Sequence, residues 1–95
     1  MATNQHLSAV RGTVHGRVQG VGFRYRTMWA ADEQGVTGWV RNQDDGTVTF
    51  HAEGPPHRLD KFLATLRHGF PGVRVTRLNV VRANPEGYRD FRVYY

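Results

Sequence analysis

Hydrophobic and polar positions alternate from Ala9 to Val18. Val10, Gly12, Val14, Gly16 and Val18 fall on one side, and Arg11, Thr13, His15 and Arg17 on the other. This period of two predicts a half-exposed strand. Gln19-Gly20-Val21-Gly22 breaks the alternation. Good helix formers then run from Phe23 to Gln34, and Gly35 stands where a helix C-terminal glycine belongs. Spacing does not choose the inner face of this helix: Thr27, Ala30, Ala31 and Gln34 fit a core, and so do Tyr25, Met28 and Trp29. Val36 to Asn42 reads as a second strand. Asp44-Asp45-Gly46 is a hairpin signal, because Asp-Gly accepts the positive φ angles of tight β turns. Thr47 to Glu53 returns with Val48, Phe50 and Ala52 on one face. Gly54-Pro55-Pro56 stops that strand and opens a second helix, where proline is tolerated in the first turn. Its stripe, Leu59, Phe62, Leu63 and Leu66, keeps the i, i+3, i+4, i+7 spacing of a buried helix face. His68-Gly69-Phe70-Pro71-Gly72 ends it. In the next strand Val73 and Val75 give way to Leu78 and Val80, a slip that predicts a bulge near Thr76–Arg77. Asn84-Pro85-Glu86-Gly87 is a turn, and Phe91, Val93 and Tyr95 alternate in a last strand.

The order β-α-β-β-α-β-β, with right-handed crossovers, predicts a ferredoxin-like α/β sandwich. Its sheet is expected to be antiparallel, of four to five strands, with two helices on one face. Residues 1–7 are polar and aperiodic and are expected to form a flexible lead-in to a single domain over 8–95. Composition then narrows the chemistry. The chain has 95 residues and no cysteine, which removes disulfides, thiolate metal sites and cysteine nucleophiles, and suits a reducing, cytoplasmic setting. No apolar run approaches the ~20 residues of a membrane span, and Met1 to Leu7 lack a signal-peptide core, so a soluble protein is expected. The formal net charge is +5, and every cation but Lys61 is an arginine. That field could serve nucleic acid or attract a small anion. The arginines form no basic block.

The turn between the first strand and the first helix carries the most information. Gly20 and Gly22 let the backbone turn sharply and approach a ligand with no Cβ in the way. Successive N–H groups leading into a helix N-terminus make a concave anion site, and Arg24 in the first helical turn can fold over that anion. The competing reading is a tight connection with a solvated Arg24. Asn42 by itself reads as a turn-entry residue.

Gly16-Arg17-Val18-Gln19-Gly20-Val21-Gly22-Phe23-Arg24 resembles the signature of the acylphosphatase family. Gly38-Trp39-Val40-Arg41-Asn42, followed by Asp45-Gly46-Thr47-Val48, resembles a second signature of the same family at the expected distance. The resemblance runs from about Val10 to Tyr95. It implies the ferredoxin-like fold and hydrolysis of the carboxyl–phosphate bond of small acyl phosphates. It implies that Arg24 binds the substrate phosphate, that Asn42 holds the attacking water, and that the backbone of Gln19, Gly20, Val21, Gly22 and Phe23 cradles the phosphate. Acyl phosphates are activated by their stable carboxylate leaving group, so no cofactor or metal is expected. Inorganic phosphate and other small anions are expected to compete. Asparagine is too weak a base to deprotonate the water, which leaves a substrate phosphate oxygen to take the proton. The chain departs from the family pattern at Gln34 and Arg26, where apolar residues are usual, and in Gly69-Phe70-Pro71-Gly72.

The remaining residues are expected to be structural. Arg17 and Arg41 are read as solvated strand residues. His6, His15, His51, His57 and His68 show no metal-ligand spacing and are read as surface residues. Asp44 and Asp45 are assigned to the turn, and Trp39 and Phe50 to the core or a sheet face. The terminal carboxylate of Tyr95 could pair with Arg24, since the last strand would bring it near. The alternative function is an RNA-binding ferredoxin-like module, against which stand the absence of an RNP-type aromatic run and the scattered charge. A domain of a larger maturation factor is a third reading. A monomer without nucleic-acid or membrane partners is expected.

Overall fold

The computed structural model describes residues 7–95. Apart from Leu7, the expected lead-in lies outside the described residues, as does His6. The elements follow the predicted order: β1 (Ser8–Arg17), α1 (Phe23–Gln34), β2 (Thr37–Asn42), β3 (Val48–Gly54), α2 (Pro56–His68), β4 (Arg74–Ala83) and β5 (Phe91–Tyr94). They form one five-stranded sheet in the order β4-β1-β3-β2-β5. The bulge lies where the alternation slipped: His15 pairs with Arg77 and Gly16 with Val75, leaving Thr76 as the extra residue.

The sheet differs from expectation at one pairing. β1, β2, β3 and β4 pair antiparallel, whereas β5 joins β2 in parallel. The reason is the path of the chain. β4 ends opposite Ala9 on one edge, and β5 must add to the other edge. Crossing four strand spacings takes about 19 Å. The chain from Ala83 to Phe91 reaches at most about 27 Å. It can cross the sheet but cannot also return to the far end of the strands. β5 therefore starts at the sheet end where β2 starts, and runs alongside it.

Both helices pack on one face. Val14, Val40, Val48, Phe50 and Phe91 from the sheet meet Phe23, Ala30, Ala31, Leu59, Phe62 and Leu66 from the helices. Phe62 touches Phe50 edge-on and Phe91 at a tilt, each with ring centroids 5.8 Å apart. Gly12 makes room for Phe50, because a Cβ there would overlap the Phe50 ring. The ambiguous face of α1 resolves toward its small residues. Phe23, Thr27, Ala30 and Ala31 are buried, whereas Tyr25 and Trp29 are exposed. Alanines bring the helix axis close to its neighbours, a fit the larger aromatics would prevent. Gly35 closes α1: its N–H bonds the Asp32 carbonyl and that of Val36 bonds the Ala31 carbonyl. Two of the departures from the family pattern are accommodated. Arg26 donates to the Pro71 carbonyl, and Phe70 packs edge-on against Phe23.

Candidate active site

β1 and β2 each pair antiparallel with β3, so they run in the same direction and end at the same margin of the sheet. α1 begins there, one short loop after β1. Gly22 enters the helix in the left-handed region (φ 76°), which permits the sharp change of direction. The first helical bond runs from the Arg26 N–H to the Gly22 carbonyl. No side chain caps this end, and no acidic residue lies in the first turn. The first-turn N–H groups and the positive end of the helix dipole thus meet no competing carboxylate from their own helix.

Gln19 contributes more than its backbone. Its Nε2 donates to the carbonyls of Gln43 (2.7 Å) and Thr47 (2.9 Å), stapling the glycine loop to the β2–β3 hairpin beside Asn42. Asn42 closes β2 opposite Val48. Its Oδ1 is buried and has no hydrogen-bond partner in the protein, a condition shared among the described residues only by Thr27 Oγ1. Arg24 is half-buried in the first turn of α1. One guanidinium N–H donates to the Tyr94 carbonyl (2.7 Å), and the guanidinium carbon lies 4.8 Å from the centre of the Tyr95 ring. The contact of Arg24 with the chain's last residues is therefore a main-chain carbonyl and an aromatic face. The Tyr25 and Tyr95 hydroxyls also meet. Tyr94 pairs with Arg41, the neighbour of Asn42. Arg24, Asn42 and the Gln19–Phe23 loop thus share one margin of the sheet.

The other expected positions divide. Arg17 and Arg41 are exposed, and Arg41 lies over the rings of Trp39 and Tyr94 at 5.5 and 5.4 Å. Asp45 is a turn residue: its Oδ1 accepts from the Thr47 hydroxyl (2.6 Å) and N–H (3.0 Å), and these bonds hold its carboxyl below the usual range. Phe50 is in the core, and Trp39 lies half-buried on the sheet's open face. His15 is half-buried, and His57 and His68 are exposed.

His51 corrects the expectation of surface histidines, since its side chain is wholly buried. Residues 84–90 cross the open face directly above it, which the alternation of β3 could not reveal. Arg11 Nε donates to His51 Nδ1 (3.1 Å), so Nε2 carries the hydrogen toward Glu53 Oε2 (2.6 Å). Glu53 also accepts the backbone N–H groups of Glu86, Gly87 and Tyr88. Burial pushes its carboxyl pKa up, but the His51 bond and the three backbone donors outweigh burial and hold it below the usual range. The polar pair His51 and Glu53, two apart on a strand, was the available sequence signal. It reads equally well as a solvated face.

Comparison with known proteins agrees with the arrangement. The family model for acylphosphatase matches residues 10–93. An acylphosphatase of Thermotoga maritima is 46% identical over 89 residues, covering 94% of this chain and 99% of its own length. The crystal structure of acylphosphatase from Bacillus subtilis superposes with a TM-score of 0.89 at 42% identity, over 95% of this chain and 100% of that one. The structure of an acylphosphatase from Coxiella burnetii gives 0.92 at 34% identity, over 98% and 100%. With both signature stretches meeting at one sheet margin and the match running through nearly every element, the chain belongs to the acylphosphatase family.

Proposed function

We propose that the protein hydrolyses small acyl phosphates to a carboxylate and inorganic phosphate, at the margin formed by the Gln19–Phe23 loop, Arg24 and Asn42. The observation that carries this reading is Asn42 Oδ1, a buried acceptor with no protein partner. Leaving such an atom unpaired costs about 1–3 kcal/mol. Such an acceptor calls for a partner beyond the protein's own groups, such as a water. Tyr94, paired with Arg41 beside Asn42, takes a single N–H of Arg24 and leaves the rest of its donor fork uncommitted.

In this reading the phosphate rests on the first-turn N–H groups and Arg24, which neutralise its charge and that of the transition state. Asn42 Oδ1 accepts a hydrogen bond from a water and aims its oxygen at phosphorus. As the new P–O bond forms, the bond from phosphorus to the acyl oxygen breaks and the carboxylate leaves with the electron pair. A phosphate oxygen takes the water proton, since an amide is too weak a base. Positioning and charge stabilisation are what phosphoryl transfer mainly requires. The net charge of +5 favours approach of an anionic substrate. The open sheet face offers less to RNA. The Trp39 ring stacks on His51 and Tyr94, with Arg11 and Arg41 over it, so its faces are already engaged.

The test is phosphate release from acetyl or benzoyl phosphate. Arg24→Ala and Asn42→Ala, folded by circular dichroism, should each lose about 100–1000-fold in kcat/KM, the scale of a lost transition-state donor. Wild-type inactivity, or variants that match the wild type, would overturn the proposal. An unchanged rate with acyl phosphates whose phosphate oxygens are much less basic would remove the proton-transfer step alone.

A further inference from the structure

We propose that Glu53 is a positioning residue for Arg24, acting from the opposite end of the sheet through the chain that crosses the open face. The inference rests on the reading of Arg24 as the phosphate-binding cation. β5 is a four-residue edge strand with one neighbour, yet its Tyr94 carbonyl is the hydrogen-bond partner of the Arg24 guanidinium. Two routes connect Tyr94 to Glu53. The first is the backbone. Glu53 is 2% exposed and gathers the N–H groups of Glu86, Gly87 and Tyr88, the centre of the crossing segment that delivers β5 to its edge. The second is a stack of rings. Glu53 and Arg11 fix both nitrogens of His51. The His51 ring stacks on Trp39 at 6.3 Å and 17°, and Trp39 stacks on Tyr94 at 6.0 Å and 23°. Tyr88, from the crossing segment, packs against the same His51 ring at 5.5 Å. The two routes begin at one carboxylate and end at the residue that holds Arg24.

A carboxylate is the side chain suited to this task. Two oxygens accept three main-chain N–H groups and one imidazole N–H, and all four partners are donors. In Glu53→Gln the amide NH2 would replace an oxygen that accepts from two of those donors, and it has no lone pair to offer either of them. Gly87→Ala leaves the Glu53 side chain intact and perturbs the crossing segment at one of the N–H groups that Glu53 holds: Gly87 has a φ of 85°, and a Cβ there enters open space.

The experiment compares wild type, Glu53→Gln and Gly87→Ala by the Arg24 Nε–Hε resonance, assigned with Arg24→Lys, by affinity for inorganic phosphate, and by kcat/KM for benzoyl phosphate. Glu53→Gln should shift or broaden the Arg24 resonance and weaken phosphate binding and kcat/KM about fivefold, within the range of coupling through packed networks. Gly87→Ala should move the same three readouts in the same direction by less. A Glu53→Gln protein that stays folded with a wild-type Arg24 resonance and phosphate affinity overturns the inference. If Glu53→Gln does not fold, Gly87→Ala decides on the same criteria. The resonance and phosphate affinity need no turnover. A wild type that binds phosphate without hydrolysing acyl phosphates therefore strikes at the proposed function and leaves this linkage measurable.

Discussion

The staple made by Gln19 gives the most direct access to the glycine loop without touching Arg24 or Asn42. Gln19→Leu keeps the side-chain bulk and removes two N–H···O=C bonds, of 2.7 and 2.9 Å. The carbonyls it leaves are not orphaned, because Gln43 O still accepts from the Gly46 N–H and Thr47 O from the Gln43 N–H. The cost is therefore the net worth of two neutral hydrogen bonds, about 1 kcal/mol each, and not the larger penalty of buried unpaired acceptors. A loss of about 2 kcal/mol corresponds to a fall of about 8–16 °C in Tm for a domain of this size. Gln19→Glu should cost more at neutral pH, since an ionised carboxylate would face two carbonyl oxygens and have no hydrogen to offer. Only its protonated form can donate, so the folded-state pKa of this new group would be raised above the unfolded value of about 4.3. Such a carboxyl destabilises most above its folded pKa, and the penalty shrinks as the pH falls through that value. The assay is thermal unfolding of wild type and both variants across pH 4–8, with phosphate affinity measured at neutral pH, where both variants should bind more weakly. If Gln19→Leu unfolds within about 2 °C of wild type and the Gln19→Glu gap is flat with pH, the bonds contribute nothing and the reasoning fails.

Two further predictions follow from the packing. Glu53 has a folded pKa held below the usual range, so the stability it contributes is present above the unfolded pKa of about 4.3 and is lost as the pH falls through the folded value. Chemical denaturation at stepped pH should show Glu53→Gln losing less stability than wild type on acidification, and parallel curves would refute the assignment. Gly38 has a φ of 141° and lies against the His51 carbonyl, where a Cβ would overlap main chain that has no room to move. Gly38→Ala should cost more than about 4 kcal/mol, in the exceptional range for one substitution. A soluble variant with near-native Tm would show that β2 can shift away from β3.

Much of the fold was legible because it rests on local rules. The period of two in β1 and β3, the stripe on α2, Gly35 past the end of α1 and the Asp45-Gly46 turn each depend on neighbours within a few residues. The slip at Thr76 was visible for the same reason, because one extra residue inverts the alternation that follows it. The inner face of α1 was not legible, since its choice between alanines and aromatics depended on how closely β2 and α2 approach. In the site, the glycine loop before α1 was legible as a sharp turn able to take an anion, but its spacing fitted a tight connection with a solvated Arg24 as well, and the family resemblance made the choice. Asn42 depended on the family resemblance, because an asparagine before a turn has an adequate local explanation.

Local pattern is enough to say which segments extend, coil or turn, and where glycine leaves the backbone without a Cβ, since these follow from side-chain shape and short-range sterics. Contacts across the fold were needed to set β5 parallel to β2, to bury His51 and Glu53 against residues 84–90, and to let Gln19 and Tyr94 hold the loop and Arg24 in place. Those contacts join residues far apart in the chain. The Gln19 staple follows from β1 and β2 ending at one margin, and the others from a short connection that had to cross the whole width of the sheet, constraints of strand order and length that no local pattern encodes.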